Sequence, residues 1–172
     1  MRIETERLNL RQFTPDDLAT MASINGDPNV MEHFPASLTR PESDAMMGRI
    51  AAHWRINGFG LFALEIRESG ELIGFIGLTR PPYETTFTPC VEVGWRLAPE
   101  TWGKGYAFEA ATACLQWGFT KLDHSEIVSF TSIGNTRSRN LMARLGMRHD
   151  PTEDFDHPML PPDSPLLRHV LY

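Results

Sequence analysis

The stretch Glu100-Thr101-Trp102-Gly103-Lys104-Gly105-Tyr106-Ala107 constrains this chain more than any other. It follows an apolar, strand-forming run over 91–97. It leads into Ala107, Ala110, Ala111, Cys114 and Gly118, which recur at helical spacing up to about Lys121. A strand therefore passes to a helix through a loop carrying two glycines. Such a junction offers the unbonded N–H groups of the first helical turn and the positive end of the helix dipole, a combination that suits phosphate. Spacing weakens two familiar phosphate-loop readings. A P-loop needs Gly, four residues, Gly-Lys and then Ser or Thr, and no such run exists. A dinucleotide fingerprint would put its third glycine at Phe108 and an acidic residue after a second strand.

The elements around this junction read as a mixed α/β chain. Residues 7–11 alternate polar and apolar, as a half-buried strand does. Thr14 as N-cap, Pro15, Asp16 and Asp17 open a first helix, with Gly26 beyond its end. Thr39 and Glu42 form a capping box, and Met47, Ile50, Ala51 and Trp54 repeat at i, i+3, i+4, i+7 before Gly58. Residues 59–67 and 72–78 are strand-forming runs joined by Glu68-Ser69-Gly70-Glu71, a hairpin connection. A further strand is expected over 126–132. A helix capped by Asn135 should then run through Leu145 to Gly146, and 169–172 is the last strand. Five prolines within 151–165 mark a surface loop.

Charge and composition narrow the chemistry. The formal net charge of −6 argues against a nucleic-acid or anionic-membrane binder and makes cationic partners the better expectation. Lys104, Arg137, Arg139, Arg144 and Arg148 nevertheless gather in or near two short motifs, so a local anion site is open to the chain, although each alone reads as solvated charge. No apolar run reaches the ~20 residues of a membrane span, and Met1-Arg2-Ile3-Glu4 lacks a signal-peptide order, so a cytoplasmic location is expected. Cys90 and Cys114 have no metal-type spacing and read as core thiols. The six histidines show no paired ligand spacing, so no metal is expected. A Gly-x-Ser-x-Gly elbow is missing, which speaks against a serine hydrolase.

The loop resembles the diphosphate loop of the GNAT acetyltransferase superfamily, whose pattern is Gln or Arg, two residues, Gly, one residue, then Gly or Ala. Residues 102–107 fit all but its first position. The departure at Trp102, with Phe108-Glu109-Ala110 following, resembles the RimJ/RimL-like branch of N-terminal acetyltransferases. The opening 4–11, the hairpin 72–78 and the segment Asn135-Thr136-Arg137-Ser138-Arg139-Asn140-Leu141 are similar to that branch in the same order, over about nine-tenths of the chain. The resemblance implies one domain over 1–172, with a central, mostly antiparallel sheet splayed at 91–97 and about four flanking helices. It implies acetyl-CoA as acyl donor, entering that wedge. Backbone at Trp95 and Leu97 would meet the pantetheine arm, and N–H groups of Gly103, Lys104, Gly105, Tyr106 and Ala107 the diphosphate. Asn135 would contact the arm, although it equally reads as a plain N-cap and both roles can coexist. The implied partner is a primary amine, a protein N-terminus or a small amine, on a monomer or homodimer.

Amide formation from an amine and a thioester needs a group to take the amine's proton and one to stabilise the departing thiolate. Glu92 faces opposite to Val91 and Val93, and the resemblance makes it the candidate base; an exposed strand carboxylate is the plainer reading. A Glu92 carboxylate is expected to help most at low pH and least above the amine's own pKa. Many relatives carry a Tyr as acid seven residues after the Asn, but Met142 stands there. Rim-type relatives point to Ser138 instead, with Tyr106 and Tyr172 as weaker candidates. The missing Tyr leaves open a non-catalytic acetyl-CoA-binding module. Glu32, Glu42, Asp44, Asp154, Asp156 and Asp163 make the expected acceptor segments acidic, which suits a cationic amine, as solvated loop charge would also explain.

Overall fold

The computed structural model of the chain describes residues 1–122 and 124–172. A five-stranded antiparallel sheet runs in sequence order: β1 (Arg2–Glu4), β2 (Leu8–Arg11), β3 (Leu61–Ile66), β4 (Leu72–Thr79) and β5 (Glu92–Leu97). A second sheet of three short strands has the order β6 (Phe130–Ser132), β8 (Arg168–Leu171), β7 (Phe155–Asp156). Helices α1 (Leu18–Gly26) and α2 (Arg40–Asn57) cover one face, and α3 (Tyr106–Lys121) with α4 (Thr136–Arg144) the other. This is the expected sheet splayed at β5, divided into two sheets.

The helix starts follow local chemistry. Thr39 and Glu42 exchange the expected capping-box bonds, and Gly58 ends α2 at φ 73°. Thr14 and Asp17 form another box, but the first turn is a 3₁₀ turn, Pro15–Asp17, and α1 begins only at Leu18 and includes Gly26. Asp17 is held by a two-pronged pair with Arg11, which also bonds Glu65, fixing this turn to β2 and β3.

Small residues let α3 lie close on the sheet. Ala110, Ala111 and Cys114 are fully buried against Leu8, Leu64, Leu78 and Val93. A Cβ on Gly118 would come within 2.7 Å of Leu78 Cδ1 and 2.8 Å of Ile127 Cδ1. Each large aliphatic side chain so enclosed contributes roughly 1.5–3 kcal/mol, so this face dominates the packing.

Three expectations need correction. The strand expected over 126–132 is regular only at Phe130–Ser132; upstream it touches β5 through a single parallel bridge, Glu92 to Val128. The proline-rich segment is no plain loop, since it holds a 3₁₀ turn at Pro151–Glu153 and β7. Finally, β1 stands outside the strand read at 7–11, because three residues paired at Arg2–Arg11 and Glu4–Asn9 carry too short a pattern to read.

Candidate active site

The single parallel bridge creates a wedge. The Val93 amide donates to the Val128 carbonyl at 2.8 Å, the Val128 amide to Val91 at 2.9 Å, and the Ser129 hydroxyl to the Val93 carbonyl at 2.9 Å. Past Val93, β5 stays with β4 while β6 turns to β8. Backbone groups alternate sides along a strand, and the Ala98 amide bonds Ile73 on the β4 side. The amide and carbonyl of Trp95 and the amide of Leu97 therefore line the open edge; the Leu97 carbonyl already accepts from Trp102 Nε1 at 2.9 Å. An extended polar arm fits this edge as a missing strand would.

The edge runs directly into the loop. Gly103 and Gly105 take φ 72° and 83°, a left-handed backbone that suits glycine. The first intrahelical bond of α3 comes from the Glu109 amide to the Gly105 carbonyl, so the amides of Tyr106, Ala107 and Phe108 stay free at its N-terminus. Lys104, Arg137 and Arg144 line the same cleft, with Arg137 over the Trp102 ring at 4.2 Å and Arg144 over Phe108 at 4.8 Å. Arg139 is turned to the Ile133 carbonyl, and neither it nor Arg148 reaches the wall. These groups form an anion cradle that suits a diphosphate.

What fixes the loop escaped the sequence reading. Glu109 accepts from the Thr5 hydroxyl (2.6 Å), the Arg7 amide (2.8 Å) and Arg7 Nε (2.7 Å), while Arg7 Nη1 donates to the Lys104 carbonyl at 3.0 Å. Burial works against the Glu109 carboxylate, but these bonds hold its pKa below the ordinary range. The Thr-x-Arg opening and the Glu after the loop are thus two halves of one clamp, and their joint presence was the available signal. Arg7 also lies 4.7 Å over the Tyr106 ring, which lines the cleft, while Tyr172 stacks on His149 and is not on the wall.

The wedge opens into a cavity of about 980 Å³ lined by Glu92, Trp95, Leu97, Gly103, Lys104, Gly105, Tyr106, Ala107, Asn135 and Ser138, so the structure brings every expected site residue together. Among the described residues the Ser138 hydroxyl has no hydrogen-bond partner, whereas Asn135 is a working cap: its Oδ1 accepts the Ser138 amide at 3.1 Å and its Nδ2 donates to Thr131 Oγ1 at 2.9 Å. One lone pair and one N–H of that amide stay available. Met142, at the position expected for Tyr, is 1% exposed.

Glu92 is the one acidic side chain on the wall among the described residues. Val91 and Val93 point into the α3-side core, so Glu92 faces α1 and α2, as expected. Burial pushes its carboxyl up to about 8, opposed only by the Thr79 hydroxyl at 3.4 Å. Cys90, just before β5, has its thiol pushed up to about 11 by burial and by Glu92, which makes it a poor nucleophile at neutral pH. Across the wedge stand Phe130, His157 and His169. His157 Nδ1 accepts the Met159 amide, and His169 Nδ1 lies 3.2 Å from the Leu167 carbonyl. Burial holds both imidazoles below their usual pKa and therefore neutral. Sequence spacing gave no signal for this group, since three separate segments build it.

The acidic acceptor segments expected from the sequence are largely occupied. Glu32 pairs with Arg137, Glu42 caps α2, Asp44 pairs with Arg40, Asp154 with His149 and Asp156 with Arg168. None of the six acidic residues lines the cavity.

Fold and wedge together suit an acyltransferase. The family described as "Acetyltransferase (GNAT) domain" matches residues 7–148, and this chain belongs to it. It is similar to the uncharacterized N-acetyltransferase YnaD of Bacillus subtilis, 30% identical over 151 residues that cover 87% of this chain and 84% of that protein. The solved acetyltransferase of Agrobacterium tumefaciens superposes with a TM-score of 0.78 at 28% identity, over 100% of this chain and 94% of that one. The ribosomal-protein-S5-alanine acetyltransferase of Vibrio fischeri shares the fold at TM-score 0.76 and 18% identity, over 99% and 94% of the two chains. The chain is an N-acyltransferase, and no helix among its described residues is long and apolar enough to cross a membrane.

Proposed function

We propose that residues 1–172 form one acetyl-CoA-dependent N-acetyltransferase domain of RimJ/RimL-like type. Its acceptor is a primary amine of low pKa, the α-amine of a protein or peptide N-terminus or of a small amine. One observation carries this reading: open backbone on β5 leads from a half-buried carboxylate to the amide cradle at α3 within one cavity. The coenzyme supplies the acetyl group as a thioester. Trp95 and Leu97 backbone hold its arm, and the amides of 103–107 with Lys104 hold its diphosphate.

Glu92, ionised, accepts the proton that the amine nitrogen loses as it bonds to the carbonyl carbon. Ser138 Oγ donates its proton to the sulfur as the carbon–sulfur bond breaks and is reprotonated from solvent. The α-amine is the easier acceptor: with pKa near ~8 it is about a tenth neutral at pH 7, whereas a lysine near ~10.4 faces a deficit of roughly 4.6 kcal/mol. A polyamine is disfavoured because Glu92 stands alone on the wall. An acceptor panel followed by free-thiol release tests the reading: α-amines should react faster than lysine side chains, and a preference for lysine would refute it.

A further inference from the structure

Arg96 follows Glu92 and Gly94 on the same face of β5 and is only 8% exposed. Its guanidinium lies 4.3 Å from the centroid of the Phe34 ring and 5.3 Å from that of Phe75. Nη1 donates to Asn25 Oδ1 at 2.6 Å and stands 3.7 Å from Met46 Sδ. Nε is buried with no partner among the described residues. Among the described residues no carboxylate comes within ion-pair distance of it.

The contrast within the same sheet is informative. Arg11 on β2, less deeply buried, is met by two carboxylates, Asp17 and Glu65. Arg96, buried further, is met by none. A buried charge is retained where it is paired, and two ring faces with one amide oxygen replace only part of the lost hydration. Burial accordingly holds the Arg96 guanidinium down to about 10, still charged at neutral pH. Its side chain lines the large cavity, so the missing anion can reach it from there.

The position of Arg96 identifies which anion. The diphosphate cradle lies at the N-terminus of α3, on the far face of the sheet, and has Lys104 and Arg144 of its own. Arg96 instead contacts α1 and α2, on the side where Glu92 awaits the amine. Between them Gly94 leaves the floor open; a Cβ there would meet only Glu92 Oε1, at 3.7 Å. Four residues of strand set the two Cα atoms about 13 Å apart, and Glu92 Oε1 leans toward Gly94, which shortens the span.

Resting on the acetyltransferase reading above, we infer that the acceptor is an amino acid or short peptide whose free carboxylate docks on Arg96 between Phe34 and Phe75 while its α-amine lies at Glu92. A long polypeptide N-terminus has no backbone carboxylate at that distance, so this narrows the acceptor to short chains.

The test uses matched acceptors of one to three residues, each as free acid and as C-terminal amide, with thiol release giving kcat/KM. At the length that spans the two residues the acid should exceed the amide by about 10- to 100-fold, the worth of a charged hydrogen-bonded contact. Arg96→Gln should abolish that preference and Arg96→Lys keep part of it, both with wild-type acetyl-CoA affinity by calorimetry. Amides matching acids at every length, a preference that survives in Arg96→Gln, or loss of acetyl-CoA binding with the side chain would each overturn the assignment. Thermal protection of the wild-type protein by the N-acetylated acids, and not by their amides, reads the site without turnover. An absence of such protection refutes the Arg96 site, while protection with no acceptor turned over supports the site and refutes the acetyltransferase reading.

Discussion

Replacing Glu92 with Gln removes the proton acceptor while keeping size and polarity, and the structure sets how the loss should vary with pH. Below pH 8, kcat/KM reports the free enzyme and free amine. With the carboxyl near 8, about a tenth of the enzyme is ionised at pH 7 and about nine-tenths at pH 9. An α-amine near ~8 loses its charge over the same interval. If both groups must be deprotonated, log kcat/KM of the wild type rises with slope 2 below about pH 7, and the Gln variant with slope 1. General-base help of about 10²–10⁴-fold should then be seen in full only near pH 9 and shrink roughly a hundredfold by pH 6. This reverses the sequence expectation that Glu92 helps most at low pH, because a desolvated carboxyl near 8 without a cation is not ionised there. The assay is thiol release with saturating acetyl-CoA and limiting dipeptide between pH 6 and 9.5. A loss constant with pH would make Glu92 a positioning group, and a loss growing toward low pH would mean that the cavity does not desolvate it.

The same shift predicts a stability effect. Between the ordinary carboxyl pKa and about 8 the folded chain binds more protons than the unfolded one, so Glu92 costs stability as pH rises through that window; Glu92→Gln should be more stable above pH 8 by about 1–3 kcal/mol in urea titrations, and equal at pH 4. Ser138→Ala should lower kcat at least tenfold with unchanged acetyl-CoA affinity, since its proton is needed only as the thiolate leaves. Gly105→Val, at φ 83°, should cost about 1–2 kcal/mol of stability and weaken acetyl-CoA at least tenfold by calorimetry. Glu109→Ala should weaken acetyl-CoA binding comparably, by freeing Arg7 and the loop it holds, and unchanged affinity would detach the clamp from the site.

Local chemistry was legible in the sequence. Thr39 and Glu42, Asn135, and the glycines of the loop act within a few residues of themselves, so their pattern declares their role. The face of Glu92 followed from strand alternation alone. What stayed hidden depends on chain segments far apart. Arg96 reads as an ordinary strand cation until α1, α2 and Phe34 are seen to enclose it without a carboxylate. The acidic residues of the acceptor segments suggested a cationic ligand, yet Glu32 is spent on Arg137, 105 positions away. Phe130, His157 and His169 meet only because the proline-rich segment folds back to place β7 beside β8.

The central claim, direct transfer from acetyl-CoA to an amine held in one wedge, is most directly tested by initial rates with both substrates varied. A short peptide acceptor with a free α-amine and a free carboxylate should give double-reciprocal lines that intersect, and thiol release that depends on the amine. Parallel lines, with acetyl-enzyme trapped on Cys90 in the absence of acceptor, would contradict it.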